Sequence, residues 1–165
     1  MSDRENTTYC LDGLTAVVTG AAQGLGLGIV EQLAANGATV IIADLQIEEA
    51  KIEASRLQER GLNADGIYLD VTDSKGVKAF FNRVYDNYKR LDILVNNAGI
   101  GQNVNPIVEL EDSEWARVLD VTLTGTFYCC RAAGRIMEHQ ESGSIVNIAS
   151  INGQSPAALV AAYNV

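Results

Sequence analysis

The stretch Gly20-Ala21-Ala22-Gln23-Gly24-Leu25-Gly26 has the glycine spacing of a backbone turn that closes around a phosphate. Glycines there let backbone N–H groups approach an anion, and a helix starting at the turn adds partial positive charge. A glycine triplet alone is equally compatible with a tight strand-to-helix turn. Asp44, 24 residues beyond Gly20, narrows the choice. A carboxylate at the end of the next strand accepts hydrogen bonds from ribose hydroxyls and repels a 2′-phosphate. Its neighbours Ala43 and Leu45 supply no cation to offset that repulsion. These residues point to a dinucleotide site that favours NAD over NADP. Around the cofactor it places Gly20, Gln23, Gly24, Leu25, Gly26, Asp44 and Leu45.

Such a turn requires a strand to deliver it and a helix to leave it. Residues 14–19 form a short apolar run. Residues 24–36 carry Leu25, Ile29, Val30 and Leu33 on one side at helical spacing, with Gly37 as the stop. Residues 39–43 read as a second strand. A charged helix bearing Ile47, Ala50, Ala54 and Leu57 follows and ends at Gly61, and residues 64–69 read as a third strand. Val77, Phe80, Phe81, Val84, Tyr85 and Tyr88 make the cleanest helical stripe in the chain. Residues 91–95 read as a fourth strand, 96–111 as a polar loop, 112–139 as one long helix and 144–149 as a fifth strand. Trp115 is expected to pack the start of the long helix, and His139 to sit in solvent at its end. Strands separated by helices pair in parallel through right-handed crossovers, and continuous apolar runs mark strands covered on both faces. The expectation is an α/β, Rossmann-type doubly wound sheet of order 3-2-1-4-5. Residues 13–165 would form the nucleotide-binding domain, preceded by a polar tail over 1–12.

The glycine spacing, Asp70-Val71 after the third strand and Asn96-Asn97-Ala98-Gly99 after the fourth resemble the short-chain dehydrogenase/reductase family over residues 11–165. The resemblance implies that Asp70 and Val71 flank the adenine. It also implies that Asn97, Ala98 and Gly99 line the cofactor cleft while the Asn-Asn-Ala-Gly segment braces the sheet. The segment Gly143 to Ser150 resembles the family's fifth strand, which ends on its active-site serine, and Tyr163 stands 13 residues later at the family's spacing. By resemblance Tyr163 is the general acid/base and Ser150 holds the substrate oxygen. Those residue types suit hydride transfer from an alcohol, because the hydroxyl proton must leave as the hydride does. A tyrosine whose pKa is lowered from about 10 takes that proton near neutral pH, and a serine hydroxyl both donates and accepts. The implied activity is an NAD-dependent oxidoreduction of a secondary alcohol or carbonyl of polyol, sugar, steroid or 3-oxoacyl class. The alternative from another class is an inactive NAD-binding regulatory or assembly protein.

Two departures from the family pattern bear on catalysis. Thr122 occupies the place of a family asparagine that supports a proton relay through ordered water. The family also places a lysine four residues after the tyrosine, beyond Val165, where it binds the nicotinamide ribose and lowers the tyrosine pKa. Without that lysine Tyr163 is expected to stay protonated and to be a poor base. The further helix, the last strands and the substrate lid of the family are also absent, which leaves the fifth strand an exposed apolar edge. The 165 residues are therefore expected to be the N-terminal part of a longer enzyme, or to be stabilised by another chain, and not to be competent alone.

Charge narrows the partners. A formal net charge of −9 gives no basic face for a phosphate backbone, so no nucleic-acid partner is expected. No apolar run approaches the roughly 18 residues that span a bilayer, and residues 1–12 lack the apolar core of a signal peptide. The three cysteines, Cys10, Cys129 and Cys130, read as reduced thiols, and the adjacent pair as helix packing rather than a metal site. The expectation is a cytoplasmic protein acting on a small-molecule alcohol or ketone, with no metal, forming a homo-oligomer by family resemblance. Replacing Asp44 with Ser and Leu45 with Arg should move cofactor preference toward NADP. Fluorescence titration with NADH and NADPH checks this, and an unchanged ratio of affinities would remove Asp44 from the ribose.

Overall fold

Alternation along the first strand decides which layer each helix joins. β1 (Thr15–Thr19) is buried at every position. Successive side chains of a strand point to opposite faces, so Val17 enters one layer while Ala16 and Val18 enter the other. The computed structural model describes residues 10–165; the first nine residues of the expected tail lie outside them. The further strands are β2 (Thr39–Asp44), β3 (Ala64–Tyr68), β4 (Ile93–Asn96) and β5 (Ser144–Asn147). All pair in parallel in the order β3-β2-β1-β4-β5, the order expected from the alternation of elements.

The two faces are packed with different residues. α1 (Gly24–Ala35) and α2 (Ile47–Glu59) cover Ala16, Val18, Val40 and Ile42 with Val30, Ala34, Ala50, Ala54 and Leu57. Mostly small side chains let these helices lie close to the sheet. α3 (Ser74–Tyr88) and α5 (Thr126–His139) cover Val17, Ile41, Ile67 and Leu94 with Phe80, Phe81, Val84, Ala133 and Met137. The Phe80 and Phe81 rings meet edge to face at 5.1 Å. Phe81 is fully buried, so truncating it to Ala should cost about 3–5 kcal/mol.

Four expectations need correction. The α1 stripe is Gly26, Val30 and Ala34 rather than one running through Leu25, which is 64% exposed. Close approach of α1 to the sheet selects the small residues. Trp115 is exposed and does not pack the helix start; in α4 (Asp112–Leu119) only Val118 is buried. The helix expected over 112–139 is interrupted between α4 and α5 by a π-helical turn, Asp120–Gly125. Within and after that turn two threonine hydroxyls bond helical carbonyls, Thr122 Oγ1 to Val118 O at 2.7 Å and Thr126 Oγ1 to Thr122 O at 2.9 Å. Such back-bonding competes with the regular ladder and bends it. Burial on both faces fails for β5, whose Ile145 and Val146 are exposed. Among the described residues β5 pairs only with β4, which matches the exposed edge expected for it.

At the opposite end from the glycine turn, Asp92 clips three strands together. Its Oδ2 accepts the Thr15 N–H at 2.8 Å, and its carbonyl accepts the Ser144 N–H at 2.8 Å. Arg90 adds a two-pronged contact, Nε to Oδ2 at 2.7 Å and Nη2 to Oδ1 at 2.8 Å. Burial alone would raise the Asp92 pKa; the hydrogen bonds from Arg90 and Thr15 and the guanidinium charge outweigh it and hold the carboxyl below its usual range. A carboxyl whose folded pKa is depressed adds stability that is present above its unfolded pKa, about 3.9, and lost as pH falls through the folded value. Asp92→Asn should therefore destabilise the fold by about 1–3 kcal/mol at neutral pH. The gap should narrow in acid below the ordinary carboxylate range. Urea midpoints of both proteins at the two pH values check this; a gap of equal size in acid would refute it.

Candidate active site

β1 ends on Thr19, and the chain must turn at once into α1. Gly20 takes φ +60, and a Cβ on it would stand 2.7 Å from Ala98 Cα. A Cβ on Gly26 would stand 2.5 Å from Asn97 Nδ2 and 2.7 Å from the Gly20 carbonyl. Both glycines are thus required by close contact with the loop that follows β4. Thr19 Oγ1 accepts the N–H of Asn97 at 3.1 Å and of Ala98 at 3.0 Å. Asn97 Nδ2 donates to the carbonyls of Thr19 at 3.0 Å and Gly20 at 2.8 Å. Sequence reasoning assigned Thr19 no role. Its signal was a hydroxyl on the last residue of a strand, next to a glycine that has no side chain to offer.

The turn leaves donors open. Gln23 is the extended residue before α1, and α1 has no side-chain cap and no acidic residue in its first turn. A helix start of this kind fits an anion, and a pyrophosphate in particular. Asp44, nearly buried, accepts the Ala22 N–H with Oδ2 and the Gln46 N–H with Oδ1, both at 2.9 Å. These bonds tie the turn to the end of β2. A carboxylate has about four acceptor positions, so about two remain on Asp44. Gly20, Gln23, Asp44 and Leu45 line a cleft of about 580 Å³ together with Asp70, Val71 and the start of the Asn97 loop. The Asp70 carboxylate is engaged locally, accepting from the Thr72 N–H at 2.8 Å and hydroxyl at 2.7 Å. Gly26 lies buried beneath the turn rather than in the cleft.

A second cleft, of about 500 Å³, adjoins the first. The two share Asn97, Ala98, Gly99 and Ile100. Ser150, Tyr163, Thr122 and Leu25 all line the second one, so the structure brings the three expected catalytic residues to one cavity. Ser150 follows β5, and its Oγ accepts the Asn152 N–H at 3.2 Å. Tyr163 rides on a single 3₁₀ turn, Ala161–Asn164. The Thr122 hydroxyl points back at Val118 O instead of standing free in the cleft. Both clefts open at the carboxyl ends of the strands, where connections leave β1 and β4 in opposite directions. This is the switch point at which doubly wound sheets bind ligands.

Asn96 and Asn147 face each other across β4 and β5, and Asn96 Nδ2 donates to Asn147 Oδ1 at 2.8 Å and to Cys130 Sγ at 3.2 Å. Sequence reasoning missed Asn147, whose signal was an asparagine near the end of each of two strands. Burial, with the Cys130 thiol beside it, pushes the Cys129 thiol up to about 12, which keeps it protonated and inert. Among the described residues, no His, Cys, Asp and Glu side chains cluster as a metal site and no helix is long and apolar enough to cross a membrane.

Comparison with known proteins agrees with this geometry. The sequence model of the family described as short chain dehydrogenase matches residues 14–165. Galactitol 2-dehydrogenase of Rhizobium johnstonii is 41% identical over 88% of this chain and 56% of its own length. A 3beta-hydroxysteroid dehydrogenase 2 of Eggerthella lenta is 39% identical over 87% of this chain and 55% of its own. The chain thus spans little more than half the length of these relatives. An NAD+-bound xylitol dehydrogenase superposes with a TM-score of 0.90 at 31% identity, over 93% of this chain and 59% of the other. A metagenomic short-chain oxidoreductase in complex with NADP gives 0.89 at 33% identity, over 93% and 70%. With its strand order, glycine turn, asparagine-tied loop and serine–tyrosine cleft, this chain belongs to the short-chain dehydrogenase family.

Proposed function

We propose that the double cleft binds NAD along the carboxyl edge of the sheet and serves hydride transfer to and from a secondary alcohol or carbonyl. The observation that carries this reading is the shared wall. Asn97 to Ile100 line both the cleft of Asp44 and the cleft of Ser150 and Tyr163, so one extended ligand reaches from one to the other. Gly20, Gln23, Gly24 and Leu25 surround the pyrophosphate in this reading, with Asp70 and Val71 beside the adenine. Asp44, with no cation at Ala43 or Leu45, supports NAD over NADP.

The nicotinamide, when bound, supplies the hydride acceptor. In oxidation the deprotonated phenolate oxygen of Tyr163 takes the alcohol proton as the hydride leaves, in reduction the phenol O–H returns it, and the Ser150 hydroxyl holds the substrate oxygen in either oxidation state. Polyol, sugar and steroid alcohols are the substrate classes supported by the relatives named above. Thr122 contributes its place on the cleft wall and not a free hydroxyl. A homo-oligomer in the cytoplasm completes the reading. It is supported by the half-exposed Phe127 on α5, which Arg131 overlies at 4.8 Å, and by three free cysteines.

Fluorescence titration should show NADH binding more tightly than NADPH. Incubation with NAD and a panel of polyols and hydroxysteroids should then give NADH absorbance, in a preparation extending through the lysine expected four residues after Tyr163. NADH binding with no turnover on any alcohol in such a preparation would replace this reading with that of a cofactor-binding regulator.

A further inference from the structure

The turn between β1 and α1 has little structure of its own. Gly20 and Gly24 stand at φ +60 and +61, and Gln23 before the helix offers no side-chain cap. Glycine loses more conformational freedom on being fixed than any other residue, so such a turn does not hold its shape unaided. An anion bound by its N–H groups needs them aimed beforehand. Something outside the turn must aim them. On one side the loop after β4 does so, through the bonds between Asn97 and the Thr19–Gly20 segment.

On the other side the fastening comes from the end of β2, by two bonds of different kinds. The Gly20 N–H donates to the Ala43 carbonyl at 2.8 Å, a backbone bond that a side-chain change leaves in place. The Ala22 N–H donates to Asp44 Oδ2 at 2.9 Å, a bond that depends on one side chain. Ala22 is 4% exposed and Asp44 8%, so this bond is shielded from water. A buried N–H stripped of its acceptor is costly, and a turn that is free to shift relieves the cost by shifting. Asp44 Oδ1 meanwhile accepts the N–H of Gln46, the residue before α2, at 2.9 Å. One carboxylate thus fastens the turn that opens α1 to the start of α2, and both of its oxygens are used.

We infer that Asp44 is a positioning residue for the phosphate turn: its Oδ2 holds Ala22 so that the N–H groups opening α1 stay aimed at a pyrophosphate. Selectivity and affinity then rest on one carboxylate. A substitution at Asp44 that admits a 2′-phosphate also frees the turn, so affinity for any dinucleotide falls along with the preference for NAD. A ligand without a ribose separates this role from ribose reading by sign. If Asp44 served the ribose alone, removing a negative charge beside the turn would leave pyrophosphate binding unchanged or strengthen it. With Asp44 aiming the turn, pyrophosphate binding weakens. The inference deepens the NAD reading and rests on it for the ligand, but not for the tie between Ala22 and Asp44.

Hydrogen exchange and pyrophosphate competition, both in the longer preparation, test the two parts. In Asp44→Ala exchange at the Ala22 amide should speed by about tenfold, while the Gly20 amide on Ala43 and the Thr15 amide on Asp92 stay within about twofold of the parent. Inorganic pyrophosphate, followed by its displacement of NADH fluorescence, should bind Asp44→Ala about fivefold more weakly than the parent. Unchanged exchange at Ala22, or pyrophosphate binding that is unchanged or tighter, would overturn the inference. If the Thr15 amide shows that Asp44→Ala has lost its fold, Asp44→Asn decides. It keeps the size of the side chain with one acceptor oxygen in place of two, so only one of the Ala22 and Gln46 amides should stay protected. Pyrophosphate affinity should then follow Ala22, weaker where that amide is released and within about twofold of the parent where it is kept. Protection of both amides, or an affinity that does not follow Ala22, would overturn the inference. Pyrophosphate that fails to displace NADH from the parent protein, with the exchange result intact, would instead count against the dinucleotide reading.

Discussion

The closure of β1 onto the loop after β4 is the constraint on which the rest of the site depends. Asn97 and Ala98 donate four hydrogen bonds to Thr19 and Gly20 across two strand ends, and neither side reaches the other unless Gly20 and Gly26 lack side chains. Buried backbone groups at the end of a parallel sheet need partners, and here they find them in one another. The closure also presents the wall common to both clefts. A ligand along that wall meets the open start of α1 and Asp44 on one side, and Ser150 and Tyr163 on the other.

β1 is buried throughout and paired on both sides. The acidic clip at Asp92 and the asparagine pair Asn96–Asn147 hold β5 to β4 at its two ends. The π-helical turn between α4 and α5 belongs to the same wall: Val121 faces the first cleft, and Thr122 and Leu123 face the second.

Much of this was readable from residue order. Strand and helix periods differ, and parallel strands require helical crossovers, so alternation of the two led to the strand order that was found. Glycine spacing, Asp44, the Asn-Asn-Ala-Gly segment and the Ser150–Tyr163 interval placed the site residues on elements that converge. Errors arose where helix packing depends on distance to the sheet. Leu25 fits a helical stripe on paper, yet the face α1 buries against the sheet is Gly26, Val30 and Ala34. Trp115 likewise counts as apolar by type but lies on a helix with a single buried residue.

Local pattern was enough for the fold and for the identities of the residues around the cleft, because periodicity and turn chemistry act over a few neighbours. Long-range partnership was not in that pattern. Thr19 with Asn97 and Asp92 with Thr15 join residues 77 or more positions apart. Each such pair depends on side-chain reach once the sheet is assembled, and no spacing rule encodes it. The glycine turn and Asp44 thus spoke for a dinucleotide from residue types alone. The folded chain supplied the wall that makes their cleft continuous with that of Ser150 and Tyr163.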